Sequence, residues 1–457
     1  MKLIIILLVL VIAFLIYSSN NSVNGGVEND DRAQIIKEIL QTDHHALQYT
    51  NDLLESDFKY KRTKHNKHII HIGQLKLFLS EVEFLTERLK SHKDNVIMVY
   101  AGSSPCHHAS YLSKMFPGLK MVLIDPAEHL VYYPNKKSGY DYIEENLYFK
   151  CAAGNRFGVA NRKVNMFNKG VVPRPSGGDE FDKLMSAKDY KPIIDAILDT
   201  THKYYIIEDY FTNDLAELFA EMGKSPKCPE FVFVSDIRSA LAESSGDVKD
   251  IDILWNSAMQ YNWTKIMQPS AAMFKFRCTY FDMHPHEIFE YANKQPYKAD
   301  FELARKNGID FIGNFKRRAF EYFKPDNTYI QAFPGEDSTE TRLIASKRGS
   351  HDYEDTQKLD CEDLERKFFQ YNKIIRPYGY HTDYEEIIDS DLGLDACGDC
   401  ALMVKIFSDY YEKFHKVDLK IIKKDIEDVM KVLRRNFKEK TKHGMFTTKY
   451  KTIPSLF

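Results

Sequence analysis

Leu75, Leu77, Phe78, Val82, Phe84, Leu85 and Leu89 recur at three- and four-residue steps, so residues 74–89 are expected to form an amphipathic helix. Ile35, Ile36, Ile39 and Leu40 keep the same helical spacing within residues 32–56. At Val96 the pattern changes. Residues 96–100 are an unbroken apolar run that ends in Ala-Gly-Ser-Ser, the reading of a buried parallel strand entering a turn. A helix over residues 108–115 and a second apolar strand over 121–125, closed by Asp125, follow. Strand, glycine turn, helix and a strand ending in an acid is the opening βαβ unit of a Rossmann-like sheet. Residues 203–207, 231–234, 328–333 and 342–346 are further strand candidates, and residues 361–414 read as mostly helical. No internal repeat is visible.

Two stretches interrupt this α/β pattern. Residues 3–17 are continuously apolar, with Lys2 in front. Fifteen residues fall short of the roughly 17–25 that span a bilayer, and no small-x-small cleavage site follows. An uncleaved N-terminal membrane anchor is the favoured reading, ahead of a cleaved signal or a buried helix. Lys2 points to a cytosolic N-terminus, which would place the body across the membrane. The second stretch, residues 126–201, is rich in Tyr, Asn and Gly and reads as an insertion between core strands. The expected organisation is a hydrophobic segment over 1–19, a linker and helix over 20–57, a catalytic domain over 58–415 and a basic tail over 416–457.

The 457 residues are 44% hydrophobic and 28% charged, a globular composition with ample core material. A net charge of -3 excludes a whole-chain basic field, so any nucleic-acid contact must use local patches. Residues 59–71 and the Lys/Arg-rich tail are the candidates, although Asp425, Glu427 and Asp428 interrupt the tail and a solvated helix face explains it equally well. Seven Cys on so long a chain argue against a disulfide scaffold. The Cys397/Cys400 pair has CxxC spacing but no matching second pair, so two helix cysteines are favoured over a metal site. His65, His68, His71, His107 and His108 read as a solvated basic face rather than as ligands.

Candidate chemistry gathers where strands are expected to end. Gly102 lets the backbone approach a ligand closely, and Asp125 can accept hydrogen bonds from ribose hydroxyls. This adenosine site is shared by dinucleotide enzymes and S-adenosylmethionine (SAM) methyltransferases; the full dinucleotide fingerprint is absent, which favours SAM. Asp236 closes another apolar run, as a cleft carboxylate or a helix N-cap. Lys275 is flanked by Phe274 and Phe276, where burial would lower its pKa; a snorkelling strand lysine is the alternative. Glu340 and Arg342 alternate on one strand face. Lys76 opens the amphipathic helix on its polar side, where a solvated lysine is the default.

These motifs, in their order, resemble the poxvirus cap-specific mRNA (nucleoside-2'-O-)-methyltransferase family, whose protein doubles as the poly(A) polymerase small subunit. The segments that carry the resemblance are Gly73–Lys76, Val99–Pro105, Leu123–Asp125, Ser235–Ser239, Lys275–Cys278, Gln331 and Thr339–Leu343. It implies a Rossmann-like SAM-dependent methyltransferase sheet with flanking helices. It also implies a Lys76-Asp236-Lys275-Glu340 tetrad, with Lys275 as base for the 2'-hydroxyl of the first transcribed nucleotide. Implied cofactor positions are Gln74, Tyr100, Gly102, Asp125, Phe211 and Arg238. An m7G cap would be held by Tyr280, Asp282 and Glu365, with Tyr60 or Phe58 as a second aromatic wall. The implied partners are capped RNA and a poly(A) polymerase catalytic subunit, in the cytoplasm or virion. The alternative function is a cap- or RNA-binding processivity subunit with little methyltransferase activity. Three features depart from the family: Cys106 replaces a glycine, the insertion is longer, and the N-terminal apolar run has no counterpart.

Overall fold

The computed structural model describes residues 73–127, 129, 132–133, 141–142, 148–152, 158–159, 191–199, 202–239, 248–335, 338–347, 353–372, 398–416 and 418–442. In chain order these form α1 (Gly73–Arg88), β1 (Val96–Ala101), α2 (Ala109–Met115), β2 (Leu119–Ile124), β3 (Tyr132–Tyr133), β4 (Asp141–Tyr142), β5 (Tyr148–Ala152) and β6 (Gly158–Val159). There follow α3 (Lys191–Asp199), β7 (Tyr204–Glu208), α4 (Asn213–Gly223), β8 (Glu230–Ser235), α5 (Asp250–Met267), β9 (Ala271–Phe276), α6 (Pro285–Ala292), α7 (Tyr297–Lys306) and α8 (Phe311–Lys316). The last elements are β10 (Phe320–Phe323), β11 (Asn327–Tyr329), β12 (Thr341–Ser346), β13 (Thr356–Leu359), α9 (Cys361–Gln370), α10 (Gly398–Phe414) and α11 (Leu419–Lys442).

Nine strands make the main sheet in the order β11-β12-β9-β8-β1-β2-β7-β5-β6. From β9 to β5 the pairing is parallel; β12 joins β9 antiparallel, and β6 joins β5 antiparallel. Continuous apolar runs suit this arrangement because both faces are covered. On β1, Val96, Met98 and Tyr100 enter the core shared with α1, α2, α10 and α11, while Ile97, Val99 and Ala101 enter the core under α4 and α5. The chain leaves β1 toward β2 and β7, then returns to pair β8 with the other edge of β1. Strand order therefore reverses between β1 and β8, and ligands of such sheets bind at the carboxyl ends there.

Several expectations change. Residues 148–152, read as part of an insertion, pair with β7 as a main-sheet strand. Strand 328–333 stops at Tyr329, and Ile330, Ala332 and Phe333 pack into the core from irregular chain. The α1 helix buries every residue from Leu75 to Thr86, polar ones included, and α10 packs against it. The basic tail is in part a core element: Ile422, Ile426, Val429, Met430 and Leu433 of α11 are buried. His107 and His108, read as solvated, are 3% and 1% exposed. Among the described residues no helix is long and apolar enough to cross a membrane. Residues 3–17, the helix expected over 32–56, residues 59–71 and Cys397 lie outside the described residues.

Candidate functional site

The β1 and β8 ends are locked together. Asp236 N–H donates to the Ala101 carbonyl at 2.9 Å, and Gly102 N–H donates to the Ile124 carbonyl at 2.8 Å. Gly102 has a φ of 76°, and a Cβ there would stand 2.8 Å from the Ile237 nitrogen and 2.9 Å from the Asp236 carbonyl carbon. Glycine is thus required by the approach of the β8 exit to the β1 turn, not only by a ligand. Gly102→Ala should cost about 1–3 kcal/mol of stability and displace Asp236. Chemical denaturation of the variant measures the first effect; stability within about 0.5 kcal/mol of the parent would contradict it. Cys106 occupies the left-handed region at φ 53°, the conformation a glycine would adopt freely.

Asp125 follows β2 and points back at this turn. It accepts Ser104 N–H at 3.3 Å and Ala127 N–H at 2.8 Å. Burial nevertheless pushes its carboxyl up to about 6, against the pull of those two backbone donors. A carboxylate held at such cost, with further lone pairs to offer, is suited to hydroxyl donors. Gln74, at the start of α1, accepts His107 N–H at 3.1 Å and lies 3.2 Å from His108 Nδ1. His108 Nε2 is 2.8 Å from Glu81, so a buried His–Glu pair sets the position of Gln74. Ser103 and His129 close the turn from the other side, with Oγ and Nε2 2.8 Å apart.

Four charged side chains from four separate elements converge on this edge. Lys76 comes from the first turn of α1, Asp236 from the end of β8, Lys275 from β9, and Glu340 from the residue before β12. Lys275 Nζ lies 3.2 Å from Asp236 and 3.7 Å from Glu340. Lys76 also pairs with Glu340, as does Arg238, while Arg342 donates to Asp236 at 2.5 Å. Lys76 is 8% exposed, far from the solvated default. Four cations, Lys76, Arg238, Lys275 and Arg342, face two carboxylates, an excess of two positive charges while Lys275 is protonated.

The electrostatics follow from that excess. Burial pulls the Lys275 ammonium below the usual lysine range; Asp236 and Glu340 oppose it, and Arg238 and Arg342 reinforce it. The cations that depress Lys275 are therefore the two arginines. Burial would raise Asp236, but Arg342 and then Lys275 override it and hold the carboxyl low. Glu340 likewise overcomes burial through Lys275, Lys76, Arg238 and Arg342, and lies well below its ordinary value. One depressed amine between two permanently ionised carboxylates is an arrangement that can take a proton and stabilise the ammonium formed.

Beyond β9 the chain carries Tyr280 and Asp282, anchored by Asp250. Its carboxylate accepts Tyr280 N–H at 2.9 Å, Asp282 N–H at 2.8 Å and Met283 N–H at 3.1 Å. The Tyr280 hydroxyl is 2.6 Å from Thr339 Oγ1, next to Glu340. The Arg277 guanidinium lies 4.4 Å from the Tyr280 ring centroid. Glu365 of α9 is raised by burial, with Arg277 pulling it down and Asp282 and Glu362 pushing it up. Tyr280, Asp282 and Glu365 thus share one neighbourhood with Arg277.

Not every expected residue reaches an open surface. Tyr100 is 1% exposed, within the core beside α1. Phe211 sits in an aromatic cluster, 4.7 Å from the Trp263 ring and 6.0 Å from Phe219. Tyr60 and Phe58 lie outside the described residues. Arg342, His108, His129, Asp250 and Arg277 were not singled out as site residues. Arg342 alone carried a readable signal, alternating with Glu340 at a strand start. Among the described residues no group of three or more His, Cys, Asp or Glu is arranged to hold a metal ion.

Residues 43–150 match the family model for the poly A polymerase regulatory subunit. This is the family whose motifs the sequence resembles. The match takes in Gln74, Lys76, Gly102 and Asp125 but ends before Asp236, Lys275 and Glu340. No curated protein matches the chain.

Proposed function

We propose that this chain methylates a ribose 2'-hydroxyl at the first transcribed nucleotide of m7G-capped RNA, using S-adenosylmethionine. The observation that carries this reading is the largely buried Lys275, lowered in proton affinity and set between Asp236 and Glu340 beside the sheet's switch point. The cofactor would lie along the Gly102 turn, its ribose on Asp125 and its adenosyl-methionine body near Gln74 and Arg238. Bound there, it supplies an electrophilic methyl group on a sulfonium. Lys275, as the neutral amine, takes the 2'-hydroxyl proton; Asp236 and Glu340 then stabilise the ammonium, and Lys76 keeps Glu340 in place. Tyr280 offers a π-face to the cationic 7-methylguanine, and Asp282 and Glu365 offer acceptors to its N–H groups. Labelled cofactor and a short capped RNA, followed by nuclease digestion, test the reading. Absence of label in a 2'-O-methyl nucleoside would sink it.

Two further outcomes probe the binding sites. Tyr280→Ala should weaken capped RNA by up to about thirtyfold, since a desolvated cation–π contact is worth up to about 2 kcal/mol, and should spare uncapped RNA. Equal losses on both RNAs would make Tyr280 a core residue. Asp125 gives a pH signature. Its folded pKa lies above its unfolded one, so the carboxylate costs on the order of 3 kcal/mol of stability above about pH 6, and the cost disappears as pH falls below about 4. Ribose hydroxyls prefer the carboxylate form. S-adenosylhomocysteine affinity, followed by calorimetry, should therefore drop as pH falls through about 6. A flat profile between about pH 5 and about pH 7 would remove Asp125 from the cofactor site.

A second reading, an RNA-binding processivity subunit for a poly(A) polymerase catalytic subunit, is favoured by the family match over residues 43–150. Mixing the chain with such a catalytic subunit and measuring tail length tests it; unchanged tails and no co-migration would reject it. Membrane association through residues 3–17 belongs with these proposals and is tested by vesicle flotation of the full chain against one lacking those residues.

A further inference from the structure

A cleft of about 360 Å³, its open mouth included, adjoins the Lys275 cluster on the α5 side of the sheet. Lys275 and Glu340 form its rim, and Val248, Ile253 and Phe276 give it apolar walls. Two of its lining residues carry a buried polar atom without a hydrogen-bond partner: Gln260 Oε1 and Arg277 Nε. Gln260 is 1% exposed, and its amide nitrogen donates to the Lys275 carbonyl at 3.3 Å. That bond fixes the carboxamide, so Oε1 is committed as an acceptor. Arg277, which also lines the cleft, has its guanidinium over the Tyr280 ring, and its Nε donor is left without a partner.

Buried polar groups without partners are costly and uncommon in native proteins, and each calls for an explanation. A flat ligand with apolar faces and an edge carrying one donor beside one acceptor satisfies both atoms at once. Nucleobases have that edge, since every Watson–Crick edge pairs a donor with a neighbouring acceptor. We propose that this cleft is a nucleobase subsite for the nucleotide whose ribose is presented to Lys275. The inference rests on the transfer reading for its register, but its chemistry is that of the cleft alone. All four bases carry such a pair, so the proposal is for a base at this position and not for one base in particular.

The test measures binding of the full chain without cofactor. Two short capped RNAs are compared, one intact and one abasic at the first transcribed position. The intact RNA should bind about tenfold more tightly, a modest value for one neutral hydrogen bond plus stacking. Val248→Phe, which fills the cleft, should abolish the difference while leaving m7GTP and S-adenosylhomocysteine affinities unchanged. Gln260→Met removes the acceptor but also the bond to the Lys275 carbonyl; if it fails to fold, Val248→Phe decides alone. Equal affinity of the two RNAs for the parent chain, or a tenfold difference that survives Val248→Phe, would overturn the subsite. Methyl transfer with equal affinity for intact and abasic RNA sinks this site alone. Tighter binding of the intact RNA without methyl transfer sinks the transfer reading and leaves the site standing. No RNA binding at all overturns both.

Discussion

Lys275→Ala should lower methyl transfer by about 10²–10⁴-fold, the usual contribution of a general base, with cofactor and cap affinities near those of the parent chain. The reason is geometric. Lys275 Nζ is held at 3.2 Å from Asp236 and 3.7 Å from Glu340, so on the proposed mechanism its task is to receive a proton in the transition state. Single-turnover rates with saturating capped RNA isolate that step from product release. Retention of more than about a tenth of the rate would remove Lys275 from the base role. The pH profile adds an independent readout. Burial and the two arginines lower the lysine, while Asp236 and Glu340 stay ionised well below neutrality. The parent rate should rise with pH along a single limb as Lys275 loses its proton. That limb should vanish in the alanine variant.

The architecture was legible because its signals are local. Apolar runs at 96–100 and 231–234 have no alternative but buried strands, and each ends in the residues that the switch point brings together. Lys275 and Asp236 could be picked out since each interrupts or ends such a run. What was illegible depends on neighbours far away in the chain. The reading of Lys76 as solvated followed from its helix alone, and Glu340, 264 residues away, reverses it. Gly102 was read as making room for a ligand, and nothing in the residues around it signals that a Cβ there would also meet the backbone at Asp236 and Ile237. His107 and His108 look like any polar pair until α1 supplies Gln74 and Glu81. The resemblance implies cofactor positions at Tyr100 and Phe211, yet their side chains are taken up by the core, and periodicity does not distinguish a ring facing a cleft from one facing a helix. The β5 strand was missed because a five-residue element within a Tyr- and Asn-rich stretch carries little pattern of its own.

Arg342→Met should destabilise the fold by about 3–5 kcal/mol, the usual cost of breaking one partner out of a buried ion pair. Arg342 is 1% exposed, stands opposite Lys275 in the β12–β9 ladder, and is the nearest cation to Asp236. Without it the Asp236 carboxylate keeps only Lys275 at close range. That change has a chemical sign as well as a structural one. Removing a cation, and leaving Asp236 less occupied, both favour the ammonium form of Lys275. The pH–rate limb should therefore move to higher pH, so that less of the enzyme is competent at neutrality even where it remains folded. The double variant Arg342→Met with Asp236→Asn removes both charges. It should recover much of the stability, since a buried pair replaced as a unit is often near neutral, but it should recover no activity. Denaturant midpoints of the two single variants and the double variant give the coupling directly. Additive losses, or a limb that stays in place in Arg342→Met, would show that Arg342 is held by β12 packing alone and that Asp236 answers only to Lys275.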